Sequence, residues 1–425
     1  MNKTKWVSSI SLILVFLMAL LVSPAFSQPA QKTVYIGGAY ALTSPFGEDS
    51  LAILKGFQMY AQWVNENHIT APWYQDRKFP TNIKLEVVWQ DDQYQATNVL
   101  PVYEALRAKG ALVYRNSGTA PQVLAPRLMQ DRVGATSMSC EPFLLKPPKT
   151  VFTCFPTFAD CLVADAEWFL TQWKEKRKPR YAFLTADNDA GRSVITPEVQ
   201  DFLKKLGFDF AGSSFVPFVP TSPPTTQLLW LKQQKVDLAI GMMIRAGAEP
   251  TQKEAVRLGM GPNQPYKIIF GYNYPVALSP FSRDMGTLGD GVICGGDLPD
   301  WDETNLKGMQ FVIAMMKKYF PDDGANYEKA CIGFTHGVAE AMTQVEALRL
   351  TSLKVPLDKV KDPKVILENG FWKIKDLDTG GIRPTPLTYG ETRVEGLSGI
   401  SVAQVQNGKR VQLGVFPIRM LLPKD

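Results

Sequence analysis

Tyr40-Ala41-Leu42-Thr43-Ser44-Pro45-Phe46-Gly47 joins two segments of different hydrophobic period, and that junction decides the fold. Before it, Thr33-Val34-Tyr35-Ile36-Gly37-Gly38-Ala39 is an apolar-rich run of strand length. After it, Leu51, Leu54, Phe57, Ala61 and Val64 recur at the spacing of one helix face. The polar stretch from Leu42 to Asp49 is therefore a strand-to-helix loop.

The same change of period recurs along the chain. Ile83 to Trp89 reads as a strand, Gln90-Asp91-Asp92 as a loop, Asn98 to Ala108 as a helix and Ala111 to Tyr114 as the next strand. Tyr181 to Thr185, a helix from Thr196 to Leu206, Ser214 to Val219, a helix from Thr226 to Gln233, and Val236 to Met242 continue the series. Repeated strand-helix-strand units predict an α/β fold, with parallel sheets covered by helices on both faces. Ligands of such sheets gather beyond the carboxyl ends of the strands, so the loops there are the candidate site. The far end of the chain differs. Ile400 to Gln406, Asn407-Gly408 and Lys409 to Leu413 predict an antiparallel hairpin, because Asn-Gly supplies the positive φ angles of a tight turn. Pro217 to Pro224 and Pro356 to Tyr389 read as irregular chain.

Lys3 and Lys5 precede an apolar run from Ile10 to Val22, and small residues stand at Ala25 and Ser27. This is the pattern of a secretory signal peptide over residues 1–27, and it predicts a periplasmic protein. The run falls short of the ~20 apolar residues that span a bilayer, and no cysteine at the cut invites a lipid. Formal net charge is +5, and loss of the two leader lysines brings it closer to neutral. The densest basic stretch, Lys174 to Arg180, reads as a solvated helix end, so no nucleic-acid partner is predicted. The remaining ~400 residues exceed one ordinary domain, which calls for two cores. Five cysteines, Cys140, Cys154, Cys161, Cys294 and Cys331, would enter an oxidising compartment. A Cys140–Cys154 bridge, a Cys154–Cys161 bridge and buried free thiols are all open on sequence grounds. His68 and His336 are the only histidines and form no metal-binding pair. Without a phosphate-cradling loop or nucleophile elbow as well, nothing points to an enzyme, a metal or a cofactor. His336 reads as a helix-surface or core residue.

Several motifs, in this order, resemble the type I periplasmic binding proteins, in the branch of branched-chain amino-acid and amide receptors of ABC transporters. They are the Tyr40 to Gly47 loop with its helix ending at Val64-Asn65, the pair Asp91-Asp92, Val113 to Thr119, Gly134 to Ser139, Thr185 to Gly191 and Ile332 to Ala341. The resemblance covers most of the mature chain. It implies two α/β lobes joined by three hinge strands, with residues 28–150 and 272–385 in the N-terminal lobe and 151–271 and 386–425 in the C-terminal lobe. It also implies a monomer that captures a small-molecule ligand and delivers it to a membrane permease. A sensory module on the same fold is a second possibility.

Site residues follow from the same resemblance. Ser117, Gly118 and Thr119 stand where relatives hold a ligand carboxylate, and Gly118 lets backbone N–H groups approach closely. Read alone, they also make an ordinary turn. Thr136 and Ser137 should face the same cleft, unless they bond to nearby backbone. Phe46 takes the place of an aromatic wall. Two departures bear on the ligand. Phe270-Gly271-Tyr272-Asn273-Tyr274 offers Tyr272 and Asn273 but no acid to hold an ammonium. Arg245 stands at a strand end where relatives carry an aromatic, and Arg115 and Arg192 lie in other candidate loops. Three guanidinium groups and a missing acid predict an organic acid, and Ala190 in place of the usual tyrosine leaves room for a bulkier or aromatic one.

Overall fold

The computed structural model describes residues 31–138, 144, 150–296 and 298–419. The leader and Cys140 lie outside them.

β1 (Lys32–Tyr40) runs through the Leu42 to Phe46 loop into α1 (Gly47–Asn67), which buries Ile53, Phe57, Tyr60 and Val64. β2 (Ile83–Asp91), α2 (Ala96–Ala108), β3 (Ala111–Asn116), α3 (Pro121–Asp131), β4 (Ala135–Ser137) and β5 (Val151–Phe152) follow. The five strands are parallel in the order β2-β1-β3-β4-β5. Tyr40, Asp91, Asn116 and Ser137 therefore end their strands along one edge. The Asp91 carboxylate accepts from Leu42 N at 3.0 Å and from Thr43 Oγ1 at 2.8 Å, which ties the first strand-end loop to the second.

The second lobe repeats the plan through α4 (Phe158–Gln172), β6 (Arg180–Ala186), α5 (Asp189–Arg192), α6 (Pro197–Lys205), β7 (Asp209–Val216), α7 (Thr225–Gln233), β8 (Leu238–Ile240), α8 (Arg245–Arg257), β9 (Ile269–Asn273), α9 (Leu278–Met285) and β10 (Ile293–Gly295). Its sheet is completed by β11 (Gly399–Gln406) and β12 (Lys409–Pro417), in the order β12-β11-β10-β9-β8-β6-β7. The last two strands are antiparallel, and the turn between them holds Asn407 at φ 52° and Gly408 at φ 71°, as the Asn-Gly pair predicts.

Three crossings join the lobes: after Phe152, after Gly295, and between Glu395 and Gly399. The first and third touch where Thr153 pairs with Glu395. Two boundaries expected from the sequence move accordingly. The return to the first lobe was placed at residue 272, but β10 pairs with β9 and β11, so the second sheet takes one more strand before the chain leaves it. The final entry was placed at residue 386, yet Tyr389 still packs edge-on against Phe152 of the first sheet, at 5.5 Å. Cys154 and Cys161 are buried free thiols, so no Cys154–Cys161 bridge exists.

The returning chain forms α10 (Lys307–Tyr319), α11 (Pro321–Ala325), α12 (Gly333–Ser352) and α13 (Lys364–Asn369). Every residue of α12 except Leu350 and Ser352 is buried. The stretch from Pro356 to Tyr389, expected to be irregular, instead holds α13 and two short 3-10 turns, and is packed by Phe371, Ile374, Leu377 and Leu387. Helix α12 lies backbone to backbone on α1. A Cβ at Gly337 would stand 2.1 Å from the Ile53 carbonyl oxygen, and one at Gly56 2.5 Å from that of Phe334. Neither obstacle is a side chain that can swing aside. Gly337→Ala should therefore cost about 2–3 kcal/mol of stability, read as a lower midpoint in urea denaturation; an unchanged midpoint would show that the helices have room to part.

Candidate functional site

A cavity of about 440 Å³ lies between the lobes, at the carboxyl ends of both sets of strands. Its position follows from two parallel sheets pointing their strand-end loops at each other.

The aromatic wall comes from both sides. Phe46, on the loop after β1, meets Tyr94 edge-on at 4.6 Å and Phe218 at 5.8 Å, and Tyr94 lies nearly parallel to Phe218 at 6.3 Å. Phe218 belongs to the second lobe, in the loop after β7, so these rings bridge the lobes. A polar contact, Gln122 Nε2 to Asp189 Oδ2 at 3.1 Å, makes a second bridge.

Ser117, Gly118 and Thr119 line the cavity. Gly118 sits at φ 93°, a conformation that favours glycine. The Ser117 hydroxyl donates to the buried Asp92 carboxylate, and its oxygen accepts from Thr119 N at 3.1 Å. Its hydrogen is therefore committed. With that hydrogen on Asp92, the Ser117 oxygen accepts from the Thr119 hydroxyl at 2.8 Å, so the pair is joined beside the cavity.

The arginines part company. Arg245, the first residue of α8, lines the cavity, and its nearest acids, Glu249 at 3.8 Å and Asp284 at 3.7 Å, are too far for good hydrogen bonds. Arg192 faces outward, paired with Asp187 and lying over the Phe215 ring at 4.4 Å. Arg115 is buried, its Nε 3.4 Å from Glu340 and its Nη1 donating to the Ala39 carbonyl at 3.0 Å. The expectation of three cleft arginines thus reduces to one.

Four other expected residues do not reach the cavity. The Thr136 hydroxyl donates to Glu340 at 2.9 Å and accepts from Gln344 at 2.8 Å, both on α12. Ser137 and Tyr272 are fully buried, each with a hydroxyl that has no partner, and Asn273 has an unpartnered amide. One residue beyond Asn273 the strand turns into a short 3-10 helix, and Tyr274 at its start is the ring that lines the cavity, donating to the Met138 carbonyl at 2.5 Å.

The residues that sequence reasoning missed are Tyr94, Met138, Phe218, Tyr274 and His336. A second aromatic beside the Asp91-Asp92 pair was a signal for Tyr94. His336 gave none, because its exposure to the cavity depends on where α12 packs. Asp49 and Asp189 also line the cavity. Asp49 accepts from the Cys331 thiol at 2.9 Å. Among the described residues, no cluster of His, Cys, Asp and Glu is arranged to hold a metal ion.

A cavity walled by both lobes of a hinged α/β pair, with polar groups at strand ends, defines a two-lobed solute-binding protein. Residues 33–355 match the periplasmic binding protein family, and the chain belongs to that family. Similar solved structures include a valine-bound branched-chain amino acid ABC transporter protein from Thermus thermophilus. It has 18% identity and a TM-score of 0.75, over 92% of this chain and 98% of that one. A fatty acid ABC transporter substrate-binding protein from Thermomonospora curvata has 15% identity and a TM-score of 0.73, over 94% and 97%. A solute-binding protein from Rhodopseudomonas palustris BisB5, in complex with 3,4-dihydroxybenzoic acid, has 16% identity and a TM-score of 0.69, over 91% and 98%. At such identities these likenesses concern the fold. No curated protein sequence matches the chain.

Burial, then the nearby guanidinium groups of Arg383 and Arg115, hold the His336 imidazole well below its ordinary range, so it is neutral at neutral pH. Glu340, one turn along α12, is pushed up by burial against the pull of Arg115. An unfolded histidine takes its proton near pH 6.5, and the folded one resists. Below that pH the unfolded state binds more protons, so the native protein should lose stability relative to His336→Gln. Urea denaturation at pH 7, 6 and 5 should show a relative loss of up to ~1.4 kcal/mol per pH unit; a constant difference would mean that the imidazole protonates freely in the folded state.

Proposed function

We propose that this protein captures a small organic acid with an apolar or aromatic body in the interlobe cavity and presents it to the permease of an ABC importer. The observation that carries the reading is Arg245, which lines the cavity, stands 3.7–3.8 Å from the Asp284 and Glu249 carboxylates without hydrogen-bonding to either, and lies on the lobe opposite the Ser117 to Thr119 loop. A carboxylate between them would take paired N–H donors from the guanidinium, and the Thr119 hydroxyl would turn to it from Ser117. The rings of Phe46, Tyr94 and Phe218 would cover the ligand's body. Because these groups come from both lobes, binding would favour the closed arrangement.

A second reading, a branched-chain amino acid or amide, draws support from Asp49 and Asp189, whose carboxylates at the cavity would attract an ammonium group. Protein refolded to remove retained ligand, then heated with amino acids, their amides, and aliphatic and aromatic acids, separates the two. Acids lacking an ammonium group should raise the melting temperature most, since a ligand at 100 times its Kd adds about 2.7 kcal/mol. A larger rise with valine or leucine would favour the second reading, and no rise with any compound would remove both. Arg245→Ala should weaken binding of the best acid about tenfold or more, measured by calorimetry, while the ligand-free protein melts as before. Unchanged affinity would dismiss the guanidinium as a ligand contact.

A further inference from the structure

Beneath the cavity lies a charge that the site described so far does not use. Arg115 and Glu340 neutralise each other, and Arg115 also lies over the Tyr40 ring at 4.8 Å. Arg383 has no such arrangement. Only 4% exposed, it holds its guanidinium 3.9 Å above the Phe155 ring, and its Nε and Nη2 have no hydrogen-bond partner. Among the described residues no carboxylate lies within ion-pair distance of it, although the Glu340 carboxyl and the Cys154 thiol are near enough to feel its charge. Phe155 in turn touches Tyr274 at 4.8 Å and His336 at 4.9 Å, and both of those line the cavity. His336 is 7% exposed; its Nδ1 faces only the Met138 sulfur at 3.4 Å, and its Nε2 has no partner.

Two buried polar groups, the Arg383 guanidinium and His336 Nε2, are therefore left incomplete near one another, one of them a full positive charge. A buried guanidinium without a counter-ion is costly, and unmet N–H groups add to that cost. A purely structural arginine at this place would be expected to carry an acid, as Arg115 does. A negative group on a bound ligand would relieve both defects, accepting from His336 in its Nε2–H tautomer, with Arg383 behind the Phe155 ring.

We infer that His336, backed by Arg383, forms a second anion-accepting subsite at the cavity floor, so that the ligand is a diacid with one carboxylate toward Arg245 and the other against His336. This rests on the organic-acid reading above and extends it from one charged end to two. The two subsites lie on opposite lobes, so such a ligand would span the closing interface with a charge at either end. Asp49 and Asp189 also line the cavity and oppose an anion; their neutral donors, the Cys331 thiol and Gln122, leave their charge in place, so the second carboxylate would have to lie on the His336 side, away from them.

The test compares matched acids by calorimetry on the ligand-stripped protein: hexanoate against adipate, and benzoate against terephthalate. At least one diacid should bind about tenfold or more tightly than its monoacid partner, a margin of about 1.4 kcal/mol. Arg383→Met should abolish that margin while the ligand-free variant melts at the same or a higher temperature, since an uncompensated buried charge has gone. Arg383→Lys should keep part of the margin. Monoacids binding as tightly as diacids would overturn the subsite and leave the organic-acid reading standing. An Arg383→Met protein that melts lower and keeps the margin would make Arg383 structural and overturn it likewise. Binding of valine or leucine in place of every acid would instead sink the organic-acid reading, and this inference with it.

Discussion

The contact on which the rest of the site depends is between two backbones. At Gly56 and Gly337, α1 and α12 approach until neither position has room for a Cβ. Helix α1 begins at the Phe46 loop and α12 carries His336 near its start, so this seam sets the distance between the wall of the cavity and its floor. A methyl group there would move functional side chains that it never touches. Close-packed interiors transmit such displacements instead of absorbing them.

Much of the fold was legible because it rests on local signals. The change of period across Tyr40 to Gly47, the strand-helix alternation and the Asn407-Gly408 turn each need only their own neighbours to be read. Lobe boundaries were less legible. Nothing in the composition of residues 272–296 says that β10 will pair with a strand more than a hundred residues later, and pairing is what assigns it to the second sheet.

The site divides in the same way. Ser117 to Thr119 and Phe46 reach the cavity because loops at strand ends have few other places to go. Thr136 ends a strand in the same row, yet its hydroxyl turns to Glu340, more than two hundred residues on. Arg115 and Arg192 likewise found acids of their own, one buried and one at the surface. Whether a polar side chain serves a ligand or a neighbour is decided by what packs beside it, and that partner is usually remote in sequence. Phe218 shows the converse, a residue in a stretch read as irregular that becomes part of the wall once the lobes meet.

The late closure of the second sheet has a consequence for how the molecule is made. Strand β10 is covered on one side by β11, and β11 in turn by β12, which ends at Pro417. The first lobe likewise lacks α12 until the chain has passed twice through the hinge. Neither lobe is a continuous piece of chain, and both depend on contacts between distant segments, which form slowly. Synthesis from the amino end therefore yields a long nascent chain whose first core waits for α12 and whose second waits for the last two strands. A polypeptide of this topology stays open along its length until its final segments are in place.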